Sequence, residues 1–216
     1  MKSIQIIKVL NNTELGKAGT HETYIHVPQD LEVDDIFSKT DTIKKFVYKR
    51  TEKTYNIRYT RGREKRIVGL GTFYRENDVC AGDEIVLECR IDKNKDSTYY
   101  IDLNKKINIL IVQRCKSGFE IITEDRRKLI SNETKVYLSD GVKKISLDFI
   151  GSEKKRADSP VETEIYDIKL DNVSIVEDYN KKDIIEIEVD CINDIAFISK
   201  TCAWRKYMFE MEEQND

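Results

Sequence analysis

The stretch 55-YNIRYTRGREKRIVGLG-71 alternates apolar and polar residues as far as Arg61-Gly62, and an apolar run resumes at Ile67 after the charged residues 63–66. Period-two alternation rich in Tyr, Ile and Val is the pattern of half-buried β-strands, and Arg61-Gly62 between the two runs predicts a hairpin turn. If Tyr55–Tyr59 pair with Glu64–Val68, Arg58 lies on the face opposite Ile57 and Tyr59. Arg58, Arg61, Arg63, Lys65 and Arg66 then crowd one thin ribbon with a single acid, Glu64. Their repulsion works against folding, so the charge points to a partner outside the hairpin.

Strand signals extend outward from this hairpin. YIHV at 24–27 ends at Pro28, and FVYKR at 46–50, EIVLECRI at 84–91 and STYYIDL at 97–103 follow with polar turns between them. The spacing predicts a short helix within 30–45, with Leu31, Ile36 and Phe37 on one side, and another within 74–80 before the Ala81-Gly82-Asp83 turn. Beyond residue 106 strands resume: 107–114, 119–123, 134–140 and 144–151, then a polar loop over 152–163, then EIYDIKL, VSIVEDY, DIIEIEVD and DIAFISK. The tail EMEEQND is expected to fray. The fold class is mainly β with short helices, divided into a domain over 1–106 and a second β-rich domain over 107–216. RIVGLG…AGDEIVLE and YDIKLD…KKDIIEIE echo one another across the halves, as a diverged repeat would or as β-proteins do by chance.

The chain has 216 residues and a net charge of −3. That total hides an asymmetry: residues 1–106 carry 20 basic and 17 acidic side chains (+3), and the rest carry 17 and 23 (−6). Residues 44–66 hold ten basic side chains and two acidic ones, or +8, which is a polyanion-binding signal inside an acidic protein. Five cysteines without CxxC spacing and only two histidines predict neither a disulfide framework nor a zinc site. The opening MKSIQIIKVLNN lacks the apolar core of a signal peptide, so the expected location is the cytoplasm, away from membranes. No Walker loop, dinucleotide fingerprint or Ser-His-Asp set occurs.

Three pieces stand in order: 15-LGKAGTHETYIHVP-28, 55-YNIRYTRGREKRIVGLG-71 and 82-GDEIVLE-88. Together they resemble the B-three-like pseudobarrel DNA-binding domain, and most nearly the N-terminal effector domain of EcoRII-like restriction endonucleases. The resemblance spans residues 10–103. It implies a seven-stranded open pseudobarrel that grips duplex DNA in the major groove with two arms, here the loop around 16–23 and the hairpin around 58–66. Glu22-Thr23 depart from the small residues common at that place in the family, which alters the chemistry of the first arm.

The ribbon and the resemblance agree on Arg58, Arg61, Arg63, Lys65 and Arg66 as DNA contacts, because a two-stranded ribbon fits the major groove and Arg can bind guanine bidentately. Glu64 could accept from cytosine N4. Lys44, Lys45, Lys49 and Arg50 are candidate phosphate contacts, as is Lys53, and Lys17 and His21 belong to the first arm. His26, alternating with Tyr24, is expected to be structural, and Gly82-Asp83 to be turn chemistry. The leading expectation is a sequence-specific double-stranded DNA-binding protein of a restriction–modification system, with 107–216 serving a partner subunit or self-association and no cofactor required. One alternative is a compact endonuclease of the PD-(D/E)xK kind, with Asp148, Asp167 and Lys169 catalytic and Mg²⁺ as cofactor. With 36% charged residues an acid-x-Lys triplet arises readily by chance, so binding is favoured over catalysis. Another alternative is a protein-interaction module whose basic hairpin meets an acidic partner.

Overall fold

The computed structural model describes residues 1–17, 22–37, 42–123, 136–139, 144–155, 164–190 and 195–210. The first strands are β1 (Lys2–Val9), β2 (Tyr24–His26), β3 (Ile43–Tyr48), β4 (Thr54–Arg61) and β5 (Lys65–Val68). Helix α1 (Gly71–Glu76) precedes β6 (Glu84–Ile91), β7 (Ser97–Asn104), β8 (Ile109–Arg114) and β9 (Phe119–Ile121). Then come β10 (Val136–Ser139), β11 (Lys144–Lys155), β12 (Glu164–Leu170) and β13 (Val173–Ser174). A 3₁₀ turn at Val176–Asp178 leads to β14 (Asp183–Asp190), β15 (Ile195–Cys202) and β16 (Trp204–Glu210).

The chain divides into two compact units. The first is Met1–Lys105 together with Trp204–Asp216, and the second is Lys106–Ala203. The first unit is one curled open sheet in the order β16-β1-β6-β7-β3-β4-β5-β2, with β3 and β7 parallel and the other neighbours antiparallel. Strands β1 to β7 are the seven expected of the pseudobarrel, and β16 is an eighth at its edge. Period-two alternation explains β4: Tyr55, Ile57 and Tyr59 face the core while Thr54, Asn56 and Arg58 face solvent. Inside, Phe73 of α1 meets Tyr48 and Tyr55 edge-on at 5.0 and 5.1 Å, and Phe46 packs on Phe37 and Tyr99. Edge-on aromatic contacts add to area burial and lock ring orientation.

The second unit runs β11-β10-β15-β14-β8-β9-β12-β13, and β11 also pairs with β12, so the strands close on themselves. Starting at β8, the circuit is β8-β14-β15-β10-β11-β12-β9. The first unit, starting at β1, is β1-β6-β7-β3-β4-β5-β2. These are the same order strand for strand, and the parallel pair β3–β7 is matched by the parallel pair β10–β15. The sequence echo falls on equivalent places, β5–α1–β6 in one unit and β12–3₁₀–β14 in the other. In the second unit β9 pairs with β8 and closes the ring, whereas in the first the outer edge of β1 is taken by β16. A separate core built on Leu110, Val112, Phe119, Tyr166, Ile168, Ile185 and Ile187 fills the second unit.

Several local expectations are corrected. Within 30–45 the described residues hold one turn rather than a helix: Ile36 and Phe37 both donate to the Val33 carbonyl, and Ile43–Lys45 already belong to β3. One turn suffices to bury Val33, Ile36 and Phe37. The second helix starts earlier than expected, at Gly71. The opening residues form β1, whose apolar run is broken because only alternate side chains enter the core. The expected loop over 152–163 begins later, since β11 runs to Lys155; residues 156–163 lie outside the described residues. VSIVEDY is a two-residue strand and a 3₁₀ turn. The expected boundary also shifts, because Trp204–Glu210 pairs with β1 and not with the second unit's strands. The expected fraying of 210–216 concerns mainly residues outside the described set. Gly82-Asp83 is a turn as expected: Gly82 has φ +90°, and the buried Asp83 carboxylate accepts from the Cys80 amide at 2.9 Å.

Candidate nucleic-acid interface

Register decides which side chains share the outer face of the first sheet. Arg58 lies opposite Val68 and Ile43, Thr60 opposite Arg66, and Asn56 opposite Lys45. On the far side of β5, His26 lies opposite Arg66 and Tyr24 opposite Val68. Residues facing across strands share a face. The solvent side of β2, β5, β4 and β3 therefore gathers Tyr24, His26, Arg66, Arg58 and Lys45, and the tip between β4 and β5 adds Gly62, Arg63 and Glu64. Lys44 does not join them. It lies opposite Ile57 on the inner side, with its ammonium 5.1 Å from the Tyr99 ring.

The cations are held by specific partners. Arg66 donates to the Glu64 carboxylate from Nε at 3.1 Å and Nη2 at 2.7 Å, and lies 3.5 Å from Glu22. Its guanidinium sits 4.1 Å from the centre of the Tyr24 ring. The hydrogen bond from Arg66, followed by its charge, lowers the Glu64 pKa from the ordinary carboxylate value, and the same bond raises that of Arg66. Arg61 pairs with Asp34 and lies over Tyr59 at 5.3 Å. Lys65 donates to the Gln29 carbonyl at 3.0 Å. Arg63, Lys45 and Lys17 are exposed. Tyr24 and Asp34 are thus neighbours of the candidate site that the sequence did not single out, Tyr24 being marked only by its alternation with His26, whereas Glu22 had been marked as altering the chemistry of the first arm. His21 lies outside the described residues, as do residues 18–20 of the first arm.

Gly62 of the turn has an ordinary φ, and a Cβ added there would find only the Glu64 carbonyl oxygen, at 3.9 Å. The demanding glycine is Gly69, at φ +94°, where a Cβ would stand 2.3 Å from the Asn56 carbonyl oxygen. It lets the chain leave β5 pressed against β4 before turning into α1.

A second cluster lies on the outer face of β6 and β7. Glu88, only 1% exposed, accepts from Ser3 Oγ at 2.6 Å and Arg90 Nε at 2.8 Å, and Lys49 Nζ stands 2.5 Å away. Burial, the largest single influence, pushes its pKa up. The bonds from Arg90, Lys49 and Ser3 together outweigh that and hold it down at about 2. Tyr100 lies beneath both cations, at 4.7 Å from Arg90 and 5.9 Å from Lys49. Arg50 donates to the Leu103 carbonyl at 2.5 Å and lies 3.4 Å from Asp102, and Lys53 pairs with Glu76 at 2.6 Å. Lys49, Arg50 and Lys53 are therefore each tied to a carboxylate of their own unit.

In the second unit, Asp148 lies opposite Lys169 and Ile150 opposite Asp167, which puts Asp148, Asp167 and Lys169 on one face of the β11–β12 ribbon. The alternate residues Phe149 and Ile168 turn to the core. Asp167 accepts from Ser174 Oγ at 2.6 Å. Among the described residues no group of three or more His, Cys, Asp or Glu side chains is placed to hold a metal ion. Cys80, Cys89, Cys115 and Cys202 are free thiols. Among the described residues no helix is long and apolar enough to cross a membrane.

No protein-family description matches the chain, and no curated protein does. Among solved structures, the B3 domain of the UbaLAI restriction endonuclease, determined with its cognate DNA, matches with a TM-score of 0.33 and 16% identity over 47% of this chain and 67% of that one.

Proposed function

We propose that this chain binds double-stranded DNA sequence-specifically, laying the β4–β5 ribbon in the major groove, within a restriction–modification system. The observation that carries the reading is the outer face itself: Arg58, Arg66 and Lys45 share one solvent-facing side, and Arg63 stands exposed at the tip. A ribbon of this width suits the major groove, and a guanidinium fixed over an aromatic ring loses less freedom on meeting a base. The pairs that hold Arg61 and Arg66 lie at the surface, where water and salt screen an ion pair, so phosphates can displace the carboxylates. Lys45, Lys65 and Lys17 would supply salt-dependent contacts without reading sequence. Lys49 and Arg50, already engaged by Glu88 and Asp102, contribute less than their charge suggests.

Selection of binding sites from a random duplex library, followed by salt titration on the selected duplex, tests this. The expected result is one enriched motif and an affinity that falls steeply with salt. No binding at low salt, or binding unchanged in the Arg63→Ala/Arg66→Ala variant, sinks the reading and favours an acidic protein partner.

A Mg²⁺-dependent nuclease is the second reading, favoured by one observation, the shared face of Asp148, Asp167 and Lys169. Duplex cleavage with Mg²⁺ or Mn²⁺ that disappears in Lys169→Ala would establish it; intact DNA under both metals removes it.

A further inference from the structure

The apolar edge of β16 is unlike the rest of the first unit's surface. β16 pairs with β1 on one side, and among the described residues no strand pairs with its other side. Edge strands of this length usually carry charge, proline or a bulge at their centre, because unpaired backbone groups there recruit other strands. Here the second half of the strand holds Tyr207-Met208-Phe209, with 43, 57 and 44% of each residue exposed. Tyr207 and Phe209 stack on one another at 6.1 Å on one face, leaving Met208 on the other. Three consecutive exposed apolar residues on an open edge are a place where another strand would add.

The residues flanking that apolar run say which strand. The run 206–210 is Lys-Tyr-Met-Phe-Glu, with a cation at one end, an anion at the other and an aromatic on each side of methionine. Antiparallel pairing with the same run of a second copy, centred on Met208, sets Lys206 opposite Glu210 of the second copy and Tyr207 opposite Phe209 of the second copy. Each of these pairs occurs twice. Opposite charges and aromatic pairs directly across an antiparallel ladder are the stabilising combinations, whereas in-register parallel pairing would oppose like charges. Lys206 already reaches Asp35 at 2.5 Å and the Glu32 carbonyl at 2.9 Å, and an ammonium has a third hydrogen to give. We infer that β16 is a self-recognition strand, joining two copies of this chain edge to edge in a twofold, antiparallel β16–β16 ladder. The inference stands independently of DNA binding.

Two strands paired over residues 206–210 make a small interface, so association is expected in roughly the micromolar range or weaker. Sedimentation velocity of the full chain, from micromolar to near-millimolar concentration, should show conversion from 25.3 kDa to twice that mass. Glu210→Lys, which opposes two lysines, should weaken association at least tenfold, and Lys206→Glu/Glu210→Lys should restore it. Tyr207→Ser/Phe209→Ser should abolish it. Circular dichroism confirms that each variant is folded, and the serine variant tests the strand should the charge swap not fold. A protein that stays monomeric at the highest concentration overturns the inference. So does a dimer indifferent to the serine pair, which must form elsewhere, and a charge swap that folds without restoring association.

Discussion

The Arg66 guanidinium lies 4.1 Å from the centre of the Tyr24 ring, across the antiparallel pairing of β5 and β2. Tyr24 supports one face of the guanidinium and Glu64 holds its edge, so the side chain is ordered before any ligand arrives. Arg66→Ala is expected to cost about 1–3 kcal/mol of binding and to relax preference at one or two base positions. Arg66→Lys should recover the salt dependence but not the preference, since an ammonium can neither stack nor bind two acceptors in a fork. Electrophoretic mobility shifts on selected and scrambled duplexes separate the two effects. Equal losses on both duplexes would make Arg66 a phosphate contact.

Glu64 gives the companion prediction. Its carboxylate is exposed and bonded to Arg66, and it costs phosphate repulsion wherever DNA lies close. Glu64→Gln should therefore raise affinity for unselected duplex while narrowing the gap between selected and scrambled sites. The same variant with the gap unchanged would leave Glu64 as an internal partner of Arg66 and nothing more.

Gly69 and Gly62 offer a contrast that needs no ligand. Gly69→Ala forces a side chain into a left-handed conformation and against the Asn56 carbonyl, for an expected loss of roughly 1–3 kcal/mol from backbone conformation alone. Gly62→Ala, at a position with ordinary φ and open space, should stay within about 0.5 kcal/mol of the parent. Chemical denaturation of the two variants checks the order, and a Gly62 variant as damaged as the Gly69 one contradicts it.

These glycines show how far the sequence could be read. Arg61-Gly62 marked the hairpin correctly, yet the glycine that geometry demands is Gly69, because a positive φ and a close approach depend on where β4 lies. Tyr55, Ile57 and Tyr59 were legible as a core row because period two is local. β1 and β16 were not, since both are edge-proximal strands with broken apolar patterns, and their pairing joins residues about two hundred positions apart. The repeat of topology was audible only as an echo at β5–β6 and β12–β14; strand order is a long-range property that little sequence identity is needed to preserve. At the interface, charge was legible but its partners were not. Asp34, Glu22 and Tyr24 are ordinary surface residues until the strands bring them beside Arg61 and Arg66.

Glu88 predicts a pH dependence. Its folded pKa, about 2, lies below the ordinary 4.5, so ionisation stabilises the fold. That stability is fully present above pH 4.5 and is lost as pH falls from there toward 2, by on the order of 3 kcal/mol. Denaturant unfolding of the parent and of Glu88→Gln should show a stability gap at neutral pH that narrows through this window. A gap that stays constant from pH 6 to pH 2.5 would mean that Glu88 is not ionised against Lys49 and Arg90.

β16 also holds its own unit together. Seven residue pairs join it to β1, from Lys2–Glu210 to Lys8–Trp204. Arg205 pairs with the buried Glu84 carboxylate, and the Lys8 ammonium lies 5.8 Å from the centre of the Trp204 ring. Removing residues 204–216 thus bares the edge of β1 and takes a cation away from a carboxylate that is 4% exposed. Breaking a buried pair from one side costs about 3–5 kcal/mol, and Arg205→Ala should reproduce much of the loss without shortening the chain. Because the second unit closes through β8 and β9, its unfolding should be unaffected. Hydrogen exchange followed by peptide mapping reads both units at once: faster exchange is expected in β1 and β6, with β8 and β14 unchanged. If β1 exchanges at the same rate with and without β16, the strand is no part of the first unit's stability, and its role would lie in self-recognition alone.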